Sequence, residues 1–316
     1  MNKSYVKYLL RRVLFIVLTL FLIATITFLL LNFLPGTPYT NEERMTDAQI
    51  LIMNERYGLN EPLIFRYLQY LANILRGDFG ISFQFNNIPV SQILSSRISA
   101  TLQLGLQGIL LGAFLGILLG VMAAIFRTTW VDHSATFIAI IGRSVPNFVF
   151  AVLLQQLFSV NVRWFPIIWD GTLYSSVLPT IALAIAPLAD TSRFVRTEMV
   201  EVLNSDYIEL ARAKGLSRYS IAFKHGLRNA LVPIVTVLGP LSASLMTGSM
   251  VIENIYAIPG VGELFVQAIL TNDYQIIMAI TIFYSFLLCS ILLFVDILYG
   301  LIDPRIRVDE EGGKNK

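Results

Sequence analysis

The chain has 316 residues, of which 14% are charged and 55% hydrophobic, with a mean hydropathy of +0.68. Globular domains carry roughly 25% charged residues, so a soluble fold of this composition could not cover its core with polar side chains, and much of the surface must face lipid. The near balance of 23 basic and 21 acidic residues gives no case for nucleic-acid binding, which needs a clustered basic face, and the single cysteine, Cys289, excludes an intrachain disulfide and a cysteine metal site.

A helix needs roughly 20 apolar residues to cross the hydrocarbon core, because its backbone polar groups must be bonded within the segment. The first charge-free run, Val13 to Leu31 and extendable to Leu34, follows Lys3, Lys7, Arg11 and Arg12. It is too long for a signal-peptide core, and Asn32-Phe33-Leu34-Pro35-Gly36 lacks a small-x-small cleavage site, so it reads as a retained first helix. An outer loop of about 60 residues, Pro35 to Ser96, comes next. Helical apolar spacing predicts two short surface helices in it, Thr46 to Tyr57 and Pro62 to Leu75, stopped by Gly58 and Gly77.

The second span, Ile98 to Phe126, holds Gly108, Gly112, Gly116 and Gly120 at every fourth position. Small residues at that interval share one helix face and let another backbone approach closely, so the stripe reads as helix packing, with a glycine-lined pore wall as the sharper alternative. Span three is Ser144 to Val162 with an apolar lead-in from Ser134, span four Gly171 to Ala189, span five Asn229 to Ile252 and span six Tyr274 to Val295. With an inside N-terminus, 16 of the 23 basic residues fall on the cytoplasmic side, seven of them between Arg193 and Arg228. Six helices with both termini inside are therefore expected.

Several chemistries lack their residues. No Gly-x-x-x-x-Gly-Lys-Ser/Thr loop exists, so ATP hydrolysis, if used, belongs to another polypeptide. His133 and His225 are the only histidines and stand near no second ligand in sequence, which removes the usual zinc motif. Among charges near the spans, Arg143, Asp190 and Asp296 read as ion-paired or snorkelling groups rather than a proton relay.

The segment from Asn204 to Arg228 is the most informative. Asp206 with Glu209 has capping-box spacing, Lys214 suits a helix C-terminus, and Gly215 can take the left-handed conformation that ends a helix. Ser217 then caps a second helix running through Ile221, Lys224 and Arg228 into span five. Short capped helices bearing both signs of charge suit docking in a groove on another protein, while a lipid-surface helix is the competing reading.

Glu209-x-Ala211-x-x-x-Gly215 resembles the EAA loop of ABC importer permeases, with Leu210 departing at the middle position and Leu227-Arg228 replacing the general Leu-Pro. Asp206-Tyr207-Ile208, Ala211-Arg212-Ala213-Lys214-Gly215-Leu216-Ser217 and His225-Gly226-Leu227-Arg228-Asn229-Ala230-Leu231-Val232-Pro233 are similar to the dipeptide/oligopeptide/nickel permease family. So are Glu253-Asn254-Ile255-Tyr256-Ala257-Ile258-Pro259-Gly260-Val261-Gly262, Asp273-Tyr274 and Asp296 to Arg305. Leu10-Arg11-Arg12, Leu34-Pro35-Gly36-Thr37-Pro38, Tyr57 to Pro62 and Gly77-Asp78-Phe79-Gly80 resemble the B-type subunit.

The resemblance implies a type I importer permease, all-helical, with an extra amino-terminal helix, lying in a bacterial cell membrane. It divides into residues 1–34, the extracytoplasmic loop 35–96, the permease domain 97–303 with its coupling segment 204–228, and a tail 304–316. The implied partners are a C-type permease subunit, two ATPases that use ATP and magnesium, an extracytoplasmic peptide-binding lipoprotein or periplasmic protein, and membrane lipid; this chain itself is non-catalytic and binds no cofactor. Oligopeptides are the expected cargo, with a dipeptide or nickel importer of the same family as alternatives and a self-sufficient ion-coupled carrier or channel as a rival of another class. Gln103, Gln107, Asn147, Gln155, Ser242, Ser244 and Thr247 are polar residues within the spans that could line a path, although interhelical hydrogen bonding explains them equally well.

Overall fold

In a computed structural model, the protein is described over residues 3–33, 46, 51, 54–55, 60–82, 84–246 and 250–302. The expected helix at Thr46 to Tyr57 lies largely outside these residues, as do Thr247 and the tail. The apolar runs become long helices because nothing in them competes for the backbone. Helix α1 spans Lys3–Phe33, and α2, Leu63–Leu75, lies in the loop after it. A two-stranded hairpin, β1 (Ile81–Ser82) against β2 (Ile88–Pro89), leads directly into α3, Val90–Ile125. At 1.5 Å per residue its 36 residues reach about 54 Å, well beyond a hydrocarbon core of roughly 30 Å.

The sequence places the start of this span at Ile98, after the charge of Arg97. The helix begins eight residues earlier because Arg97 is neutralised by Glu263. The charge marks where the apolar segment ends, and the helix continues past it.

Span three is not one helix. Helix α4, Trp130–Ser144, and α5, Asn147–Leu154, continued by a wide π turn over Gln155–Asn161, meet at 98°. Pro146 causes the break: proline disfavours helical geometry in the preceding residue, and Val145 is extended at φ −91°, ψ 125°. Span four also shifts. Residues 171–176 form turns, and α6 runs from Val177 to Leu203, carrying the chain past Asp190, Arg193 and Arg196. Helices α7 (Asp206–Ala213) and α8 (Arg218–Ser220), a π turn (Ile221–Gly226) and α9 (Leu227–Met246) follow, then α10 (Met250–Ile255), α11 (Val261–Leu270) and α12 (Tyr274–Ile302). Among the described residues α1, α3 and α12 are each long and apolar enough to cross a membrane alone, and the bent pair α4 and α5 makes a fourth if taken as one span. The fourth and fifth apolar segments of the sequence fall in α6 and in α9 with α10.

The most extensive helix packing is α3 on α6. Gly108, Gly112, Gly116 and Gly120 all face α6, and a Cβ added at Gly112 or Gly120 would stand 2.6 Å from the carbonyl oxygen of Ala184 or Ser192. Gly105, three residues before the series, meets the backbone of Leu245 and Met246 on α9. Without a hydrophobic driving force between helices in lipid, such close backbone approach supplies the van der Waals contact that holds them together.

Ion pairs fasten the remaining helices. Arg12 grips Asp296 through two nitrogens at 2.7 and 2.8 Å, joining α1 to α12. Arg143 reaches Asp190 at 3.5 Å, joining α4 to α6, so this charge in span three is a paired one. Replacing Gly112 or Gly120 by valine is expected to lower stability by about 3 kcal/mol, since the neighbour is backbone and cannot yield. Leu118→Val, on the exposed face of the same helix, should change little. Thermal unfolding of the purified chain in detergent measures both.

Candidate functional site: the α7 hairpin and the ends of the bundle

Helix α7 follows α6 after only Asn204 and Ser205. Its N-cap is Ser205 in extended geometry, one residue before the expected Asp206. The Ser205 hydroxyl does not cap; it donates to the Val202 carbonyl at 2.6 Å, which leaves the first-turn carboxylates Asp206 and Glu209 to complement the helix dipole. At the other end Gly215 N–H donates to the Arg212 carbonyl at 2.9 Å and Leu216 N–H to Ala211 at 3.4 Å, the paired bonds of a Schellman stop. Gly215 sits at φ +78°, the left-handed conformation the motif requires. Ser217 caps the next helix as expected, its Oγ accepting from Ser220 N–H at 3.2 Å.

The faces of α7 are sharply divided. Ile208 and Ala211 are buried against Ile221 and Leu203. Ala211 therefore packs the hairpin onto its own chain. The outward face carries Tyr207, Glu209, Leu210, Arg212, Ala213, Lys214 and Leu216. Arg212 turns back to donate to the Leu203 carbonyl at 3.0 Å, closing the C-terminus of α6 with a cation. The hairpin is thus fixed to α6 by a short link, an apolar seam and a charged brace.

Asp132 fixes the same end of the bundle. Arg196 Nε donates to its Oδ1 at 2.5 Å and Nη2 to Oδ2 at 2.7 Å, while Thr128 N–H donates to Oδ2 at 3.0 Å. The Arg196 hydrogen bonds hold the Asp132 carboxyl down at about 2. The buried, bidentate geometry ties the start of α4 to α6 five residues beyond the Gly116 contact at Thr191.

At the opposite end the structure reveals a cluster that sequence reasoning treated only as a loop boundary. Glu253 is buried, its Oε1 accepting from the Thr101 hydroxyl at 2.9 Å and its Oε2 from Glu263 N–H at 2.9 Å. Thr101 Oγ1 in turn accepts from Val261 N–H at 2.8 Å. A carboxylate and a hydroxyl from two other helices thereby satisfy the free N–H groups of α11. A side chain on Gly260 would fall on the Glu253 carboxylate, and one on Gly262 would stand 2.8 Å from Oε2, which accounts for the Pro-Gly-x-Gly sequence there. Nearby, Ser82 of β1 bonds to buried Asp273, whose carboxyl burial pushes up, and Gln84 Nε2 donates to the Thr271 carbonyl at 2.8 Å. The visible signal was a glutamate followed by two closely spaced glycines before an apolar helix.

The path candidates separate. Gln107 accepts from Thr180 at 2.8 Å, Gln155 donates to Ile167 and Ile255 at 2.8 and 3.0 Å, and Ser242 bonds within its helix to Leu238. Each spends its polar group on a different partner. Gln103 and Asn147 are half-buried, Ser244 is exposed, and Thr247 lies outside the described residues. No group of three or more His, Cys, Asp or Glu side chains suited to a metal occurs among the described residues.

An apolar helical bundle with an outward, capped hairpin is the build of a polytopic membrane permease component. The profile described as binding-protein-dependent transport system inner membrane component matches residues 116–308, and its N-terminal companion matches residues 5–105. The chain belongs to this family of ABC importer permeases and is a non-catalytic, multi-pass membrane subunit. It is similar to the dipeptide transport system permease proteins of Lactococcus lactis subsp. cremoris, at 44% identity over 96% of this chain and 100% of that protein, and of Bacillus subtilis, at 43% over 97% and 99%. The oligopeptide transport system permease of Salmonella typhimurium is 38% identical over 95% and 99% of the two chains. Among solved structures, the inward-facing MetNI methionine ABC transporter superposes with a TM-score of 0.52 at 19% identity, covering 67% of this chain and 97% of that one, a likeness of fold alone.

Asp132→Asn is expected to cost about 2 kcal/mol near neutral pH. Because the folded carboxyl titrates below its ordinary value near 4, the link is fully present above that pH and is lost as pH falls toward about 2. Thermal midpoints of wild type and variant should therefore converge over that interval and stay apart above it.

Proposed function

We propose that this chain is one of two non-identical permease subunits of an ATP-driven importer for short peptides, with dipeptides as the cargo. A C-type permease would complete the membrane pathway, two separate ATPases would bind ATP and magnesium, and an extracytoplasmic binding protein would deliver the peptide. The observation that carries this reading is α7: a rigid, capped helix presenting Tyr207, Leu210 and Leu216 with charges of both signs, anchored to a long helix that traverses the bundle. The greater identity to dipeptide than to oligopeptide permeases favours dipeptides over the oligopeptide cargo expected from the motifs.

In this reading the α7 end is cytoplasmic, as the Lys/Arg excess favours, and both termini lie on that side. Residues 97–303 form the permease domain, 1–34 and 35–96 the added helix and outer loop, and 304–316 the tail. Asp206, Tyr207, Glu209, Leu210, Lys214 and Leu216 meet the ATPase, whereas Ala211 and Gly215 shape the hairpin. Gln103 and Asn147 are retained as path residues, being half-buried with no hydrogen-bond partner among the described residues. ATP-driven closure of the ATPases can shift a two-state pathway only through contacts that differ between the states, and a stiff hairpin transmits that displacement where a loose one absorbs it.

Reconstituted with its partners in proteoliposomes, the importer is expected to take up labelled dipeptide with ATP, with hexapeptide and nickel competing weakly. Preferred uptake of hexapeptide or nickel, or transport by this chain alone, would overturn the assignment. Gly215 is surrounded by open space, so its substitutions are strained by backbone conformation and not by collision. Uptake should decline in the order Gly215→Asn, Gly215→Ala, Gly215→Val while ATP hydrolysis persists. Equal uptake by all three would remove the coupling role.

A further inference from the structure

A cavity of about 500 Å³ opens beside the α7 hairpin, between the end of α3, the end of α6 and the start of the α8 segment. Three arginines from separate elements line it: Arg127 after α3, Arg212 on α7 and Arg218 on α8. Its floor is apolar, formed by Ile125, Leu203 and Ile221 among others, and no acidic residue lines it. Among the described residues none of the three arginines forms an ion pair.

Two of the guanidinium groups are nonetheless held in place. Arg212 is oriented by its bond to Leu203, and Arg218 lies over the Phe126 ring with its central carbon 5.0 Å from the centroid. Arg127 is exposed, lines the cavity and forms no ion pair among the described residues, so it can complete the set. Three guanidinium groups without acidic partners on one cavity match a phosphate, which arginine binds through parallel N–H donors.

We propose that this cavity binds the headgroup of an anionic phospholipid of the inner leaflet, an assignment that rests on the orientation given under the proposed function. Arg127 is the first charged residue after the apolar run of α3, so the rim lies where hydrocarbon gives way to headgroups. Exposed Trp130 and Tyr219 flank it, amphipathic rings of the kind that concentrate at that depth. A free phosphate or nucleotide would use the arginines but not the apolar floor, whereas a phospholipid uses both. Basic pockets between helices on the cytoplasmic side bind anionic headgroups in this way. The lipid would then brace the hairpin against α3 and α6 beside the Ile208 seam, whose Leu203 and Ile221 also form the cavity floor.

Native mass spectrometry of the full-length chain in detergent, titrated with phosphatidylglycerol or phosphatidylcholine, tests this. Phosphatidylglycerol should bind more tightly, and affinity should fall about fivefold for each arginine changed to glutamine. Arg127→Gln alone should show that loss with an unchanged thermal midpoint, since the residue is exposed. Exchanging all three arginines for lysine should keep only part of the affinity, since an ammonium supplies the charge without the parallel donors. Millimolar inorganic phosphate should leave the bound lipid in place. Equal binding of the two lipids, unchanged affinity in the glutamine variants, or displacement by inorganic phosphate would each overturn the proposal. So would glutamine variants that bind lipid normally but fail to capture the ATPases in phosphatidylcholine, which would make this a protein-docking surface. Lipid binding is read on the chain without ATP or peptide, so a failure of peptide uptake is distinguishable from a failure here.

Discussion

The contact on which this architecture depends is the approach of two backbones, α3 and α6, along a row of glycines. Four positions on one helix carry no side chain, and the space is taken by Leu183 Cβ at Gly108 and by carbonyl oxygens of the other helix at Gly112, Gly116 and Gly120. In lipid neither helix gains from hiding apolar surface, so association must come from contact quality. The row fixes lateral distance and axial register together, because each glycine takes one turn of the partner. Gly105 extends the same logic to α9, and the helix at the centre of the bundle is therefore gripped on two sides.

The ends of the bundle are organised differently from its middle. Charge appears where the glycine row stops, and it appears in pairs: Arg196 with Asp132 at one end, Arg97 with Glu263 at the other. Buried polar groups follow the same rule. Glu253 is deep, yet both its oxygens are engaged, and its hydrogen bonds substitute for the backbone partners that α11 lacks at its start. The permease thus has a small-residue centre and two polar rims, each of which positions a short helix.

What the sequence made legible follows from locality. The glycine row, the stop at Gly215 and the cap at Ser217 depend on spacing within one helix or one turn, and all three stand where spacing placed them. Misreadings arose where a local pattern was overruled by a distant partner or by one residue's geometry. Arg97 looked like a boundary because Glu263, which neutralises it, is 166 residues away. Hydropathy joined α4 to α5 because it averages across Pro146 and cannot register a 98° turn. The motif gives residue types without the side of the helix they face, and the inward side of Ala211 depends on Ile221 being in place. Glu253 was passed over because its burial depends on Thr101 in another span.

The short connection between α6 and α7 has a mechanical consequence. Two residues cannot act as a flexible joint when the Ser205 hydroxyl bond and the brace from Arg212 both reach back into the last turn of α6. Force applied to the hairpin therefore enters α6 as torque, and the interlocked glycines oblige α3 to rotate with it. The close contact locks the two helices together along the glycine row, and the looser packing of the subunit lies where they meet their lighter neighbours.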